Sequence, residues 1–295
     1  MLNLKIYYVT SGFSGSGRIV RGISIGNALR RNKVQCEYTI ISGSGFSFLA
    51  DAMDIPHIEI PLENPEQFSR SDCRDTVLYQ TITGLEMDLL LIDLIWFPFY
   101  NFIHELSCKK IFLCRQVDDC FFNMHLPYET RVFRPDDFGL VLSIEPFNSS
   151  IPMKSINPIV IRNHSEIFSR DDALSSLGLN PDKRVCILSY SGHPGDFERV
   201  KRVYSYLEDE GFQMVYTTNY RDGIFPVVDY FNAADLIICG AGYNSFWEVN
   251  YFNKEAIIVP TFARFESGKC RIEECQEYYF NENGADQLVD IILNL

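Results

Sequence analysis

Two glycine-rich loops, each between an apolar run and a helical pattern, hold the residues best suited to bind a ligand. The first, SGFSGSGR, extends from Ser11 to Arg18. Glycine lets the backbone approach a ligand closely, and a helix that starts here presents unpaired N–H groups and the positive end of its dipole. We therefore predict that Gly15 and Gly17 face a ligand. Arg18 would lie at the reaction centre, where arginine can hold a phosphate or a carboxylate.

The glycine spacing of this first loop argues against two common nucleotide sites. It reads G-x-x-G-x-G rather than the dinucleotide fingerprint G-x-G-x-x-G, and no acidic residue ends the second predicted strand to hold a ribose. It is also not a P-loop, because no Gly-Lys-Ser/Thr follows. A plain turn between a strand and a helix remains the alternative to a loop that faces a ligand.

The second loop, CGAGYNSFWE, extends from Cys239 to Glu248. Here backbone N–H groups and the Ser245 hydroxyl are predicted to hold a phosphate, and the Glu248 carboxylate to accept hydrogen bonds from a ribose diol. Gly242 and Asn244 complete the predicted nucleotide site. The structural alternative is that Asn244 or Ser245 caps the helix, with Glu248 completing a capping box.

The rest of the sequence predicts the elements that position these loops. Short apolar runs alternate with helical patterns, first over residues 1–150 and again over 165–295, and the segment 151–164 between them contains prolines and fits no period. Such alternation is typical of parallel sheets covered by helices. We predict an α/β fold of two doubly wound, Rossmann-like domains, joined by a linker over 151–164, with the ligand in the central cleft.

In this order, one in each domain, the two motifs resemble those of the GT-B glycosyltransferases, especially the group of the peptidoglycan enzyme MurG and the nucleotide-sugar hydrolase PseG. The segment 15–21 is similar to a loop usually written G-x-G-H-x-x-R, and 242–248 to the G-x-N-S-x-x-E core of nucleotide-sugar binding. The resemblance implies that a nucleotide-diphosphate sugar binds the second domain as co-substrate, with no further cofactor. An acceptor of unknown identity enters from the first domain, and transfer is metal-independent and inverting.

The sequence departs from this pattern at the residue that often serves as the base. The histidine of the first loop is replaced by Arg18, which cannot act as a base at neutral pH. Asp93 is our first alternative, because it ends an apolar run where a strand's carboxyl end is expected, although it would also suit a turn. Asp118 and Asp119 are the next candidates unless they are solvated loop residues, and Glu145 is a further candidate to line the cleft.

His193 is the histidine that best fits the site implied by the resemblance. It lies in the loop SGHPG after the first strand of the second domain, a loop that often faces the diphosphate in relatives. No H-E-x-x-H, D-x-D or Cys/His cluster occurs, so no metal site is predicted.

Composition excludes other classes of protein. The 295 residues carry a net charge of −13 without a basic block, which disfavours nucleic acid. No apolar run is long enough to span a membrane, and no signal peptide is recognised at the start. The nine scattered cysteines, without C-x-x-C spacing, favour a reducing cytoplasm. The oligomeric state is not indicated.

Two other functions remain open beside sugar transfer. A nucleotide-sugar hydrolase would use water as acceptor, and a non-catalytic nucleotide-sugar-binding partner would explain the missing histidine. The last predicted helix ends so close to residue 295 that little chain is left to cross back onto the first domain. We therefore expect a looser hinge than in many GT-B enzymes.

Overall fold

The computed structural model describes residues 3–11, 15–68, 73–126, 129–192, 194–263, 266–275 and 277–295. Two parallel sheets organise this part of the chain. The first has seven strands in the order β3-β2-β1-β4-β5-β8-β9, and the second has four in the order β11-β10-β12-β13. Two Rossmann-like domains of the α/β class are thus present, as the alternation predicted.

The first domain contains strands β1–β9 and helices α1–α4, including a small hairpin of β6 and β7. Their bounds are β1 (Leu4–Thr10), α1 (Gly17–Arg31), β2 (Cys36–Ser42), α2 (Phe48–Asp51), β3 (His57–Glu59), α3 (Val77–Thr83), β4 (Leu89–Asp93), α4 (Trp96–Phe99), β5 (Lys109–Cys114), β6 (Asn123–His125), β7 (Thr130–Val132), β8 (Leu140–Ser143) and β9 (Lys154–Ser155). Strand β9 pairs with β8, so the first sheet extends into the segment predicted as linker.

The second domain contains strands β10–β15 and helices α5–α9. Their bounds are α5 (Arg170–Leu177), β10 (Val185–Ser189), α6 (Pro194–Tyr204), β11 (Gln213–Thr217), β12 (Leu236–Gly240), α7 (Tyr243–Tyr251), β13 (Ala256–Val259), β14 (Phe262–Ala263), β15 (Glu266–Ser267), α8 (Gly268–Cys275) and α9 (Gly284–Leu293). Within the described residues, no helix is both long and apolar enough to cross a bilayer.

Helix α1 packs unusually close to the first sheet because two glycines lie on its inner face. A Cβ atom built on Gly22 would approach the ring of Tyr8 to 2.7 Å, and one on Gly26 would approach Ile55 to 2.8 Å. Both distances are shorter than a carbon–carbon contact allows. The glycines therefore set the depth at which α1, and the loop before it, lies on β1 and β2.

Replacing Gly22 by alanine is accordingly expected to destabilise the protein by about 1–3 kcal/mol, because an added methyl group would overpack the contact with a rigid aromatic ring. Helix propensity alone would act in the opposite direction, by up to about 1 kcal/mol. Urea unfolding measures the sign of the change. Gly45→Ala is the control, since nothing lies within 4 Å of a Cβ at that position. Equal or increased stability of Gly22→Ala would show that α1 has room to move.

The C-terminal helix α9 packs against α1 of the first domain, contrary to the expectation that little chain remains to cross back. Asp286, in the first turn of α9, accepts hydrogen bonds from Arg31 Nε and Asn32 Nδ2, both at 2.7 Å. At the end of the chain, Lys109 Nζ donates to the carbonyl oxygen of Leu295. A ten-residue helix is thus long enough to contact the first domain, and the looser hinge stays a prediction.

Candidate functional site

Loops at the carboxyl ends of the two sheets meet at an interdomain junction, which we define by Ser16, Gly17, Ser191, Asn219 and Asn244. Asn244 Nδ2 donates to the carbonyl oxygen of Gly17 at 3.0 Å, and Asn219 Nδ2 donates to Ser16 Oγ at 2.6 Å. Within the second domain, Asn219 N donates to Ser191 Oγ at 3.0 Å. Loops that follow β1, β10, β11 and β12 are thus brought together, as expected for a cleft between two such sheets.

Aromatic residues make further contacts between the same two domains. The rings of Phe46 and Tyr220 lie 5.3 Å apart, and the guanidinium of Arg221 lies 4.8 Å from the ring centre of Phe48. Tyr220 OH also donates to the carbonyl oxygen of Gly192, in the loop after β10. The segment after β2 therefore packs on the loop after β11.

In the first glycine loop, the described residues contact the second domain. Gly15 has a positive φ of 71°, and a Cβ at this position would lie 4.0 Å from the carbonyl oxygen of Ser191. Arg18 is half-buried, and its Nη1 donates to Ser11 Oγ at 2.9 Å. Gly12, Phe13 and Ser14, which complete the predicted motif, lie outside the described residues. The predicted ligand-binding roles of Gly15, Gly17 and Arg18 stay predictions.

The second glycine loop leads into α7 without a side-chain cap. The N-cap is Gly242, which is exposed, and no atom of the described residues lies within 4 Å of where its Cβ would be. Asn244 and Ser245 are inside the first turn and do not cap the helix, so the structural alternative for these two residues was wrong. Open space at Gly242 leaves the first N–H groups of α7 accessible to an anion.

Glu248 is a buried carboxylate without a hydrogen-bonding partner among the described residues. It is only 7% exposed and, since α7 has Gly242 as its N-cap, it does not belong to a capping box. Burial, and to a smaller extent the nearby Asp229, raise the pKa of Glu248 to about 8. Glu248 follows Asn244 by four residues, so both side chains are on the same face of α7. Its carboxyl group is therefore placed one turn from the junction, with its hydrogen-bonding capacity unused.

Asp93 cannot serve as the base, and this prediction is corrected. Its side chain is fully buried, and both of its oxygens accept from Arg21 Nη2, at 3.0 and 2.7 Å. Tyr8 OH lies 2.5 Å from one of the same oxygens. Arg21 also lies 4.9 Å from the ring centre of Tyr243 in the second domain. Asp93 thus holds α1 to β4 and is shielded from any acceptor.

The other residues predicted for catalysis or diphosphate binding are not brought together at the junction by any described contact. Asp118 is exposed before a short 3-10 turn, and no described contact joins it to the junction. Asp119 accepts hydrogen bonds from the backbone N–H and the hydroxyl of Ser150, as a loop residue does. His193 lies outside the described residues. The catalytic role of Asp118 and the diphosphate-binding role of His193 remain untested predictions.

Glu145 does not line the cleft but forms the centre of a buried interdomain network. Its carboxylate accepts from Arg271 Nε at 2.8 Å and Nη2 at 2.9 Å, from Trp247 Nε1 at 2.6 Å and from Gln116 N at 2.7 Å. Arg271 Nη1 donates in turn to the carbonyl oxygen of Ala241 at 3.0 Å. The last long strand of the first sheet thereby positions the second glycine loop. Nothing in the local sequence around Arg271 marks it for this role.

Among the residues that the structure describes, no group of three or more His, Cys, Asp and Glu side chains is close enough to hold a metal ion.

Two Rossmann-like domains whose glycine loops meet across a junction define the GT-B class of fold, which this chain shares with solved glycosyltransferases. Residues 171–268 match the family model of the glycosyltransferase family 28 C-terminal domain. This match includes the junction loops of the second domain and Glu248.

Among solved structures, the glycosyltransferase SsfS6 of Streptomyces sp. SF2575 in complex with thymidine diphosphate is similar, with 13% identity, a TM-score of 0.61 and coverage of 99% of this chain and 100% of that chain. Spinosyn forosaminyltransferase SpnP has 11% identity and a TM-score of 0.62 over 99% of this chain and 91% of its own. MurG of Acinetobacter baumannii has 13% identity and a TM-score of 0.53 over 99% and 91%. No curated protein matches the chain in sequence.

Proposed function

We propose that this protein transfers a sugar from a nucleotide-diphosphate sugar to an acceptor, without a metal ion and with inversion. The donor would bind the second domain at Gly242, Asn244, Ser245 and Glu248, and the acceptor would enter from the first domain beside Arg18. The GT-B fold, the family 28 match and a neighbour solved with thymidine diphosphate support this proposal.

The single observation that carries the proposal is the unpartnered carboxyl group of Glu248. Glu248 is only 7% exposed, but its oxygens are not completely enclosed, so the carboxyl group has lost most of its hydration without a protein partner, and a ligand that reaches it can supply the missing hydrogen bonds. A ribose diol offers two hydroxyl donors at once. The exposed backbone at Gly242 begins α7 one turn and a half earlier, so its N–H groups and dipole are suited to the attached diphosphate.

Titration calorimetry with nucleoside diphosphates tests this proposal. We expect uridine or thymidine diphosphate to bind more tightly than NAD. Above pH 8, where the Glu248 carboxyl is ionised, Glu248→Gln should weaken the binding of uridine diphosphate, which carries the full diol, about tenfold or more, because a hydrogen bond to a charged group contributes about 1.5–3 kcal/mol. The 2′,3′-dideoxy nucleotide is the matched ligand control and should bind the wild type and the variant alike. Equal affinity of Glu248→Gln for the ordinary nucleotide would remove the main support for the proposal.

A non-catalytic nucleotide-sugar-binding role is the second candidate, and one observation favours it. The described side chains at the junction and Arg18 present only hydroxyl, amide and guanidinium groups, none of which is a base at neutral pH. Donor turnover distinguishes the candidates: a transferase consumes the donor with an acceptor, a hydrolase releases free sugar into water, and a binding partner does neither. Metal-independent chemistry predicts that any turnover persists in EDTA.

Arg18→Ala is expected to reduce turnover about tenfold or more while the melting temperature stays near that of the wild type. The reason is that Arg18 occupies the first-domain side of the junction and is half-buried, so its charge can stabilise a developing anion. Arg199→Ala is the control, because the Arg199 side chain is 69% exposed in a surface ion pair. If Arg18→Ala has the same turnover as the wild type, the first loop would be only a structural turn between β1 and α1.

A further inference from the structure

A small apolar pocket lies beside the first glycine loop, and neither the fold nor the proposed donor site accounts for it. The pocket has a volume of about 40 Å³ and is formed where β1, β2 and β4 end. Most of its walls are carbon, supplied by Ile60, Leu62, Leu78, Ile95 and Phe97. A space of this size holds two or three water-sized groups, which corresponds to a short alkyl chain.

The walls of the pocket are held from behind by a buried arginine. Arg131 is fully buried, and its Nη1 donates to the carbonyl oxygen of Phe97 at 2.9 Å, while its Nη2 donates to that of Phe68. The rings of Phe68 and Phe97 meet edge to face with centres 6.2 Å apart, and both line the pocket. Because these backbones are fixed, the pocket is a preformed feature of the first domain rather than a gap between loose side chains.

The polar groups that line the pocket either have hydrogen-bond partners already or lie on the side that faces the candidate site. The Glu63 carboxylate accepts from the first two N–H groups of α3, at 2.6 and 3.0 Å. Ser11, at the end of β1, lines the pocket and accepts the hydrogen bond from Arg18. An apolar group in the pocket would therefore be connected, through the Ser11 side, to a polar group beside Arg18.

We propose that this pocket binds a short alkyl group of the acceptor, adjacent to the hydroxyl group that receives the sugar. The proposal rests on the proposed function, because it assigns the acceptor to the first domain. It specifies the acceptor as an alcohol with a short apolar substituent. A fully hydrated, all-polar acceptor would leave the carbon walls of the pocket unused.

The test compares the binding of methyl and butyl β-glucosides to the full chain, measured by calorimetry, so that it does not depend on turnover. Each buried methylene contributes a factor of about four to affinity, and three additional methylenes should favour the butyl compound about tenfold or more. Leu62→Ser should abolish most of this preference. Leu293→Ser is the matched control, because these leucines are 52% and 58% exposed and only Leu62 lines the pocket.

Leu78→Phe provides a second variant, which fills the pocket instead of making it polar and should also abolish the butyl preference. The pocket proposal would be overturned if the two glucosides bind equally well or if neither binds. It would also be overturned if Leu62→Ser and Leu293→Ser have equal effects on the butyl preference. Nucleoside diphosphate binding, measured on the same samples, separates the two proposals. If it persists while the alkyl preference is absent, the pocket proposal alone fails, and if it is absent, the proposed function fails.

Discussion

Replacing Glu145 by alanine is expected to lower the free energy of unfolding by about 3–5 kcal/mol, because it removes the carboxylate that compensates the buried charge of Arg271. Arg271 is only 1% exposed, and Trp247 Nε1 and Gln116 N would lose their acceptor at the same time. Burial alone would raise the pKa of Glu145, but Arg271 and these hydrogen bonds lower it below its ordinary value. The stability that Glu145 supplies is therefore present at neutral pH and is lost only in acid.

Urea unfolding of two further variants checks this interpretation. The double variant Glu145→Ala/Arg271→Met should recover much of the loss, since an apolar side chain replaces the isolated charge. Glu86→Ala is the control for an exposed ion pair, because Glu86 is 90% exposed beside Lys5, and no measurable change is expected there. A loss below about 1 kcal/mol for Glu145→Ala would mean that water or another group reaches Arg271 readily.

The second large effect concerns the pH dependence of stability, which we expect Glu248 to dominate on the alkaline side. Its pKa is raised from an ordinary 4.5 to about 8 in the folded protein. Below pH 4.5 the carboxyl is protonated in both states. Between pH 4.5 and 8 the unfolded chain is ionised and the folded protein is not, so the free energy of unfolding falls as pH rises, and it levels off above pH 8. The total fall is about 2–5 kcal/mol.

Denaturant unfolding at a series of pH values measures this curve directly. Glu248→Gln should flatten it and be more stable than the wild type at pH 9, because glutamine carries no charge into the buried site. A saturating nucleoside diphosphate should also flatten the wild-type curve, since ribose hydroxyls would stabilise the ionised carboxylate. Identical curves for wild type and Glu248→Gln would show that the carboxylate is solvated in the folded state.

Much of the fold was predictable because buried parallel strands are continuous apolar runs. Strands β11 and β13 each follow such a run in the alternating pattern, and Ser169 caps α5 by accepting from Asp172 N, as serine commonly does at a helix start. The hairpin of β6 and β7 was missed, because three-residue strands with mixed polar residues give no period to detect. Strand β9 was missed for the same reason, since it is only two residues long and exposed.

The two loops of the candidate site could be predicted from the spacing of their glycines. The ion pairs between residues far apart in the sequence could not be predicted. The two loops were found because Gly17 and Gly242 stand at helix starts after apolar runs. Asp93 was misjudged, since its position at a strand end is equally suited to a catalytic carboxylate and to one buried beside Arg21. Only the three-dimensional distance between residues 72 positions apart decides between the two. The same is true of Glu145 and Arg271.

The side chains at the junction are already hydrogen-bonded across it, so a donor nucleotide at the proposed site would compete with the protein's own chain. Asn244 donates to Gly17, and Asn219 donates to Ser16. A nucleotide that needs these amides must first displace the first domain from them, and its measured affinity is reduced by the fraction of molecules in which they are engaged. Under the proposed function, the first domain would compete with the donor for these side chains, and donor affinity would depend on both domains.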